Sequence, residues 1–140
     1  VRRLAFSLLE LVMVLALVGL LMALAVPRFT AMRDGASVRA AMADLGAGFS
    51  MARQSALTRR TTVAVVLDTS SGTVELRSAR RTLARHPLGA TYGIVLGANR
   101  DSAVYDSRGL GYGVSNLTVT VRRGSIVDTL TMSRMGRVRW

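Results

Sequence analysis

The chain has 140 residues and a formal net charge of +11, and every one of its 19 basic residues is arginine. That length leaves room for one small domain after an N-terminal apolar run, and the absence of cysteine excludes disulfides and thiolate metal sites. Beyond Val26, seventeen arginines face seven acids, a net of +10, which favours acidic partners such as nucleic acid, anionic headgroups or an acidic protein face. A strong genomic GC bias would also produce arginine without lysine.

Residues 6–26 form a nearly unbroken apolar run of 21 residues. At a rise of about 1.5 Å per residue it makes a helix of roughly 31 Å, a match for a hydrocarbon core of about 30 Å. Arg2 and Arg3 precede it, so the N-terminus is expected to stay cytoplasmic and the remainder to cross the membrane. A single acid, Glu10, interrupts the run, at a cost of roughly 2.5–3.5 kcal/mol on insertion scales. The carboxylate either needs a partner or reaches back to the cytoplasmic headgroups from its place near the helix end. A cleaved secretory signal shares the order of basic residues and apolar run. Here, however, the run is longer, holds an acid, and passes through Pro27 into more helix-compatible sequence without a small-x-small cleavage site. Pro27 lacks an N–H and is expected to bend the helix where it leaves the membrane.

The stretch Arg2-Arg3-Leu4-Ala5-Phe6-Ser7-Leu8-Leu9-Glu10-Leu11-Val12-Met13-Val14-Leu15-Ala16 resembles the class III signal of type IV pilins and type II secretion pseudopilins. The resemblance implies that a prepilin peptidase cuts between Ala5 and Phe6 on the cytoplasmic side and methylates the new amine of Phe6. Glu10 then stands four residues after the new N-terminus, and Pro27 falls where the family carries its helix-kinking proline. Ala5 departs from the glycine usual there, which predicts slower processing; the short leader opening on valine suggests a non-standard start codon or a few missing residues. Physically, cleavage creates a positive amine at the depth of Glu10, one helical turn away on its own chain or within reach on a neighbouring chain; an ion pair between subunits would relieve the desolvation cost and set the axial register of a packed helix bundle.

After Pro27, Phe29, Met32, Ala36, Met42, Leu45, Phe49, Ala52 and Ala56 recur mostly three or four residues apart, an amphipathic stripe that carries the helix to about Thr58. Gly35, Gly46 and Gly48 each weaken it by about 1 kcal/mol relative to alanine, so fraying is expected near Gly46. From Arg60 the pattern turns to short β-type runs. Thr61 to Leu67 and Thr73 to Arg77 flank a turn and read as a hairpin; Arg80 to His86 reads as a further strand closed by Pro87. Thr91 to Leu96 and Ala103 to Asp106 read as short strands, and Gly109-Leu110-Gly111-Tyr112-Gly113 as a flexible turn. Leu117 to Arg122 and Ser125 to Met132 flank Arg123-Gly124 as the clearest hairpin, with Val119, Val121, Ile126, Leu130 and Met132 available for a core. Residues 136–140 end the chain as an extended segment. The predicted fold class is α+β, a long N-terminal helix on an antiparallel β domain. Its parts are a leader at 1–5, a transmembrane half-helix at 6–27, an amphipathic half at 28–58 and the β domain at 59–140.

This second half resembles the GspH/FimT minor pseudopilins in three segments: Ala52-Arg53-Gln54-Ser55-Ala56, Val104-Tyr105-Asp106-Ser107-Arg108-Gly109, and the terminal hairpin running into Gly136-Arg137-Val138-Arg139. The resemblance implies a type IV pilin-like minor subunit without catalytic activity or cofactor, at the tip of a type II secretion pseudopilus. Its partners would be other pseudopilins or pilins, the prepilin peptidase, the inner-membrane assembly platform and the bacterial inner membrane, with the C-terminal domain periplasmic. The FimT side of the family is associated with DNA capture for natural transformation, so the alternative is a minor type IV pilin that binds DNA through its Gly-Arg-x-Arg segment.

Enzymatic motifs are scarce. His86 is the sole histidine and, preceding Pro87, reads as a loop or strand-end residue; no Gly-x-Ser-x-Gly elbow or phosphate loop occurs. Asp101 and Asp106 lack the oxygen-ligand spacing of a calcium loop and read as turn acids, so no metal site is expected. The constellation with binding potential is C-terminal. Arg137 and Arg139 share a face of an extended chain about 7 Å apart, Arg134 and the Arg122-Arg123 turn are expected nearby, and Trp140 is available to stack a base. A solvated strand end in an arginine-rich chain is the competing explanation.

Overall fold

The computed structural model describes residues 7–79, 81–112 and 116–140. Helix α1 (Leu8–Arg59) begins where the Ser7 side chain accepts the Glu10 backbone N–H at 3.2 Å and the Ser7 carbonyl accepts Leu11 N–H at 3.2 Å. It ends at Arg60, whose φ of +49° lets Thr61 N–H return to the Ala56 carbonyl at 3.2 Å, closing the last turn in a Schellman arrangement. The helix carries an 18-residue window of mean hydropathy 2.7, none of it buried. Two compact units divide between Arg33 and Asp34.

In the second unit, α1 supplies one wall of the core and two antiparallel sheets the rest. The strands are β1 (Val63–Asp68), β2 (Thr73–Ser78), β3 (Arg81–Pro87), β4 (Val95–Ala98), β5 (Ser102–Tyr105), β6 (Gly111–Tyr112), β7 (Leu117–Arg123), β8 (Ile126–Met132) and β9 (Val138–Arg139), with a one-turn helix α2 (Leu88–Tyr92) after β3. They are ordered β3-β2-β1-β5-β6 in one sheet and β4-β7-β8-β9 in the other. Alternation in β1 sends Val63, Val65 and Leu67 inward, and β7 does the same with Leu117, Val119 and Val121. They meet Leu45, Phe49, Ala52 and Ala56 of α1 in one continuous core. Leu130 and Met132 join it, whereas Ile126 is only partly buried.

Four expectations change. The buried stripe of α1 begins at Gly35 and Val38, in the second unit; Phe29 and Met32, in the first, are about 70% exposed. Ala36 is exposed as well. The helix does not fray at Gly46, which is buried under the Trp140 ring. The strand expected from Thr91 starts at Val95. Leu88 is buried and draws the preceding residues into α2, which Gly93 caps at a φ of +63°. Gly111 and Tyr112 pair with β5 as an edge strand instead of forming a turn, while Gly113 lies outside the described residues, as does Arg80 at the expected start of β3.

Candidate functional site

The expected cleavage point, Ala5 and Phe6, lies outside the described residues. Glu10 is exposed in the first turn of α1. A negative side chain there is favoured by the helix dipole, typically by about 0.3–1 kcal/mol. Ser7 and Glu10 also have the Ser-x-x-Glu spacing of a capping box, a local signal in the sequence that the apolar run conceals. Pro27 sits inside the continuous helix, and the Thr30 hydroxyl donates to its carbonyl at 2.9 Å.

At the other end of the chain, β8 turns into β9 over residues 133–137. Gly136 N–H reaches the Ser133 carbonyl at 2.9 Å, and Ser133 N–H reaches the Arg137 carbonyl at 2.8 Å. Gly136 has a φ of +72°, and a Cβ on it would lie 2.9 Å from the Tyr105 ring and 3.1 Å from the Gly109 carbonyl oxygen. Only glycine fits. Burial pushes the Tyr105 phenol up to about 12, opposed in part by the Arg53 guanidinium.

Beside this seam runs an open groove of about 380 Å³, lined by Arg53 and Phe49 of α1, by Tyr105, and by Arg137, Val138, Arg139 and Trp140. Arg137 and Arg139 are both exposed and flank half-buried Val138, about 7 Å apart along the strand. Trp140 lies against α1: a Cβ on Gly46 would come within 2.7 Å of its ring, yet the residue is 65% exposed. No acidic side chain lines the groove; Arg137 and Arg139 also line a second groove with Asn116, Thr118 and Thr131, and among the described residues Arg53, Arg137 and Arg139 form no ion pair with an acidic side chain.

Arg53 is the member that sequence reasoning missed, since nothing local signals that a helix position approaches the C-terminus. Two expected members belong elsewhere. Arg134 lines a separate groove with Arg100, Tyr112 and Asn116. The Arg122-Arg123 turn is at the far end of the β7–β8 hairpin: Arg123 pairs with Ile126 and Arg139 with Thr131, about 17 Å apart along β8. Arg123 is moreover engaged. Its Nε donates to Asp34 at 2.8 Å, and its Nη1 to the Ser37 hydroxyl at 3.0 Å and to the Tyr92 carbonyl.

The remaining candidates have structural surroundings. His86 lies in β3 opposite Val74, with Nδ1 3.1 Å from Asp44 of α1 and a buried Nε2 that has no hydrogen-bond partner among the described residues. Asp106 accepts the Leu110 N–H at 2.9 Å and bonds from Arg108 N–H and Nε, which hold its carboxyl below the usual range and shape the loop after β5. Asp68 does the same between β1 and β2. The hydroxyls of Ser70 and Ser71, with their backbone N–H groups, lower it to about 2.

A long apolar N-terminal helix that continues into the core of an antiparallel β unit defines a type IV pilin-like α+β fold. Two crystal structures of the type IV minor pilin FimU from Pseudomonas aeruginosa share it. One, in space group P21, superposes with a TM-score of 0.63 at 14% identity, covering 73% of this chain and 86% of that one. The other, in P65, gives 0.60 at 13% identity over 72% and 90%. At such identity the likeness is one of fold. No protein-family model and no curated protein sequence matches the chain.

Proposed function

We propose that the chain is a membrane-anchored, non-catalytic minor pseudopilin of the GspH/FimT type, a tip subunit of a type II secretion pseudopilus. One observation carries this reading. A single helix presents an uncovered, membrane-length apolar window near its start and, further along, the stripe that builds the core of the globular unit. Such a helix can pack with others in the membrane while its far end displays a folded head. The fold shared with FimU, a type IV minor pilin, supports the coarser part of this reading, a minor-pilin-like structural subunit. On this reading the peptidase cuts before Phe6, and Glu10 pairs with the new amine of a neighbouring subunit. Glu10→Ala should insert at least as well as the parent, because it removes a costly group, and should be lost from complexes with partner subunits. Normal co-purification of this variant with those subunits would sink the ion-pair role.

A second reading, a minor type IV pilin that captures DNA through its Gly-Arg-x-Arg segment, is favoured by Arg137 and Arg139, both exposed and, among the described residues, without an ion-pair partner. Replacing Arg137 and Arg139 together with alanine should flatten the log-log salt slope of DNA affinity by about 1.4 for single strands or about 1.8 for duplex. Diffuse attraction to a basic surface predicts equal losses from any two exposed arginines, so the pair Arg33 and Arg39 on α1 serves as the comparison. Equal slopes from the two double variants would leave the secretion role as the better account.

A further inference from the structure

We infer that the outer face of the β4-β7-β8-β9 sheet is a track for the phosphate backbone of a nucleic acid, with Arg137 and Arg139 at one end, Arg122 at the other and four threonine hydroxyls between them. The inference rests on the nucleic-acid reading above and goes beyond it in naming the surface, the further contacts and the part of the polymer they grip. Val119, Val121 and Leu130 are fully buried, so strand alternation turns Thr118, Thr120 and Arg122 of β7 to the outer face, together with Thr129 and Thr131 of β8. Residues directly opposite one another on neighbouring strands share a face. Thr118 pairs with Thr131, Thr120 with Thr129, Thr131 with Arg139, and Arg122 with Val127. The face therefore carries a two-by-two array of threonines with a guanidinium at either end.

Thr131, opposite Arg139, and Val127, opposite Arg122, are four residues apart on β8, about 14 Å along the strand. Arg137 joins Arg139 where both line an open groove of about 580 Å³ with Asn116, Thr118 and Thr131. Both ends are cationic and accessible: Arg122, Arg137 and Arg139 are exposed, and among the described residues none of them pairs with an acidic side chain. The nearest acid of β8, Asp128, stands opposite buried Val121 and turns to the inner face. Arginine and threonine both donate to phosphate oxygens, whereas no aromatic ring stands among the outward residues of β7 and β8 to stack on a base. The face is thus built to hold backbone with little sequence preference. At about 3.4 Å per phosphate along each strand of a duplex, the distance between its ends matches about four phosphates.

The two kinds of contact can be separated, because a guanidinium that meets a phosphate releases counterions and a neutral hydroxyl does not. The full chain in detergent micelles would be titrated with a fluorescent duplex and a fluorescent single strand across a salt series. Arg122→Ala should flatten the log-log slope by about 0.9 for the duplex and about 0.7 for the single strand, and Arg122→Lys should restore it. Arg39→Ala, on the helix that packs against the inner side of the sheets, should leave it unchanged. Thr120→Val combined with Thr129→Val keeps the β-branched shape and removes two hydroxyls. It should weaken binding by about 2- to 13-fold per hydroxyl while leaving the slope where it was. If Arg122→Ala behaves like Arg39→Ala, or if the valine pair binds as tightly as the parent, the inference is overturned, and a slope flattened by replacing Arg137 and Arg139 still upholds the DNA reading. If the parent binds neither nucleic acid, the DNA reading fails and this inference with it.

Discussion

Arg122 and Arg123 are neighbours in one strand, yet they have different tasks. Strand alternation turns them to opposite faces, and only Arg123 meets Asp34, 89 positions earlier, together with Ser37 and the Tyr92 carbonyl. Arg123→Ala strands a half-buried carboxylate and should cost about 1–3 kcal/mol, while Arg122→Ala should stay within about 0.5 kcal/mol; urea melts of both variants check the contrast. Tyr105 makes a second prediction at this scale. Its folded value is raised from 10.0 to about 12, so the contribution of the buried phenol is fully present below pH 10 and is lost as pH rises towards 12. The difference between spectrophotometric titrations of the parent and Tyr105→Phe should place this phenol near 12, and a difference centred near 10 would contradict its burial. Asp68 has the opposite sign. Its lowered value means that its support for the β1–β2 turn is complete above about 3.8 and disappears as pH falls through about 2. Asp68 meets only Ser70 and Ser71 beside it in the turn, whereas the assignments of Arg123 and Tyr105 were not legible in the sequence, because each depends on which distant group the side chain meets.

Elements were more legible than side-chain partners, for physical reasons that differ from one to the next. The β7–β8 hairpin announces itself through alternation on both sides of Arg123-Gly124, and α1 through its three- and four-residue spacing. Residues 88–92 escaped because one helical turn has no period to read; its position is set by the burial of Leu88 and by Gly93. Gly46 was misread for a related reason. Helix propensity counts a glycine as a weakness, but here the missing side chain makes room for the Trp140 ring. Gly46→Ala should therefore bring two opposed effects. The helix gains up to about 1 kcal/mol in propensity, while the new methyl displaces the ring. Acrylamide should quench Trp140 more strongly in this variant without a fall in melting temperature; unchanged accessibility would mean that the ring is not seated on the helix. Part of the candidate groove was legible in the same sense: Arg137, Arg139 and Trp140 lie within four residues of one another, whereas Arg53 required the fold.

For the whole molecule, the division between Arg33 and Asp34 makes a statement about where the folded unit begins. A fragment starting at residue 28 retains Asp34, Ser37 and the buried stripe of α1, and should be a soluble, monomeric α+β unit by circular dichroism and size exclusion. A fragment starting at residue 38 lacks Asp34 and Ser37, two of the three partners of Arg123, and keeps the Tyr92 carbonyl. It should melt earlier, and adding Arg123→Ala to it should cost less than in the longer fragment, because the ion pair is already gone. The segment before this unit decides what the molecule is for, and its apolar window is open to two uses, anchoring alone or anchoring followed by assembly. Composition and hydropathy serve both equally. Processing separates them, because only a pilin-type subunit needs a free amine at Phe6 for Glu10 to pair with. The most direct measurement is the intact mass of the chain recovered from the membranes of a host that has a prepilin peptidase. The account predicts a chain that starts at N-methylated Phe6, even if Ala5 slows the cut. A chain still starting at Val1, in cells where a standard prepilin is fully processed, would contradict it.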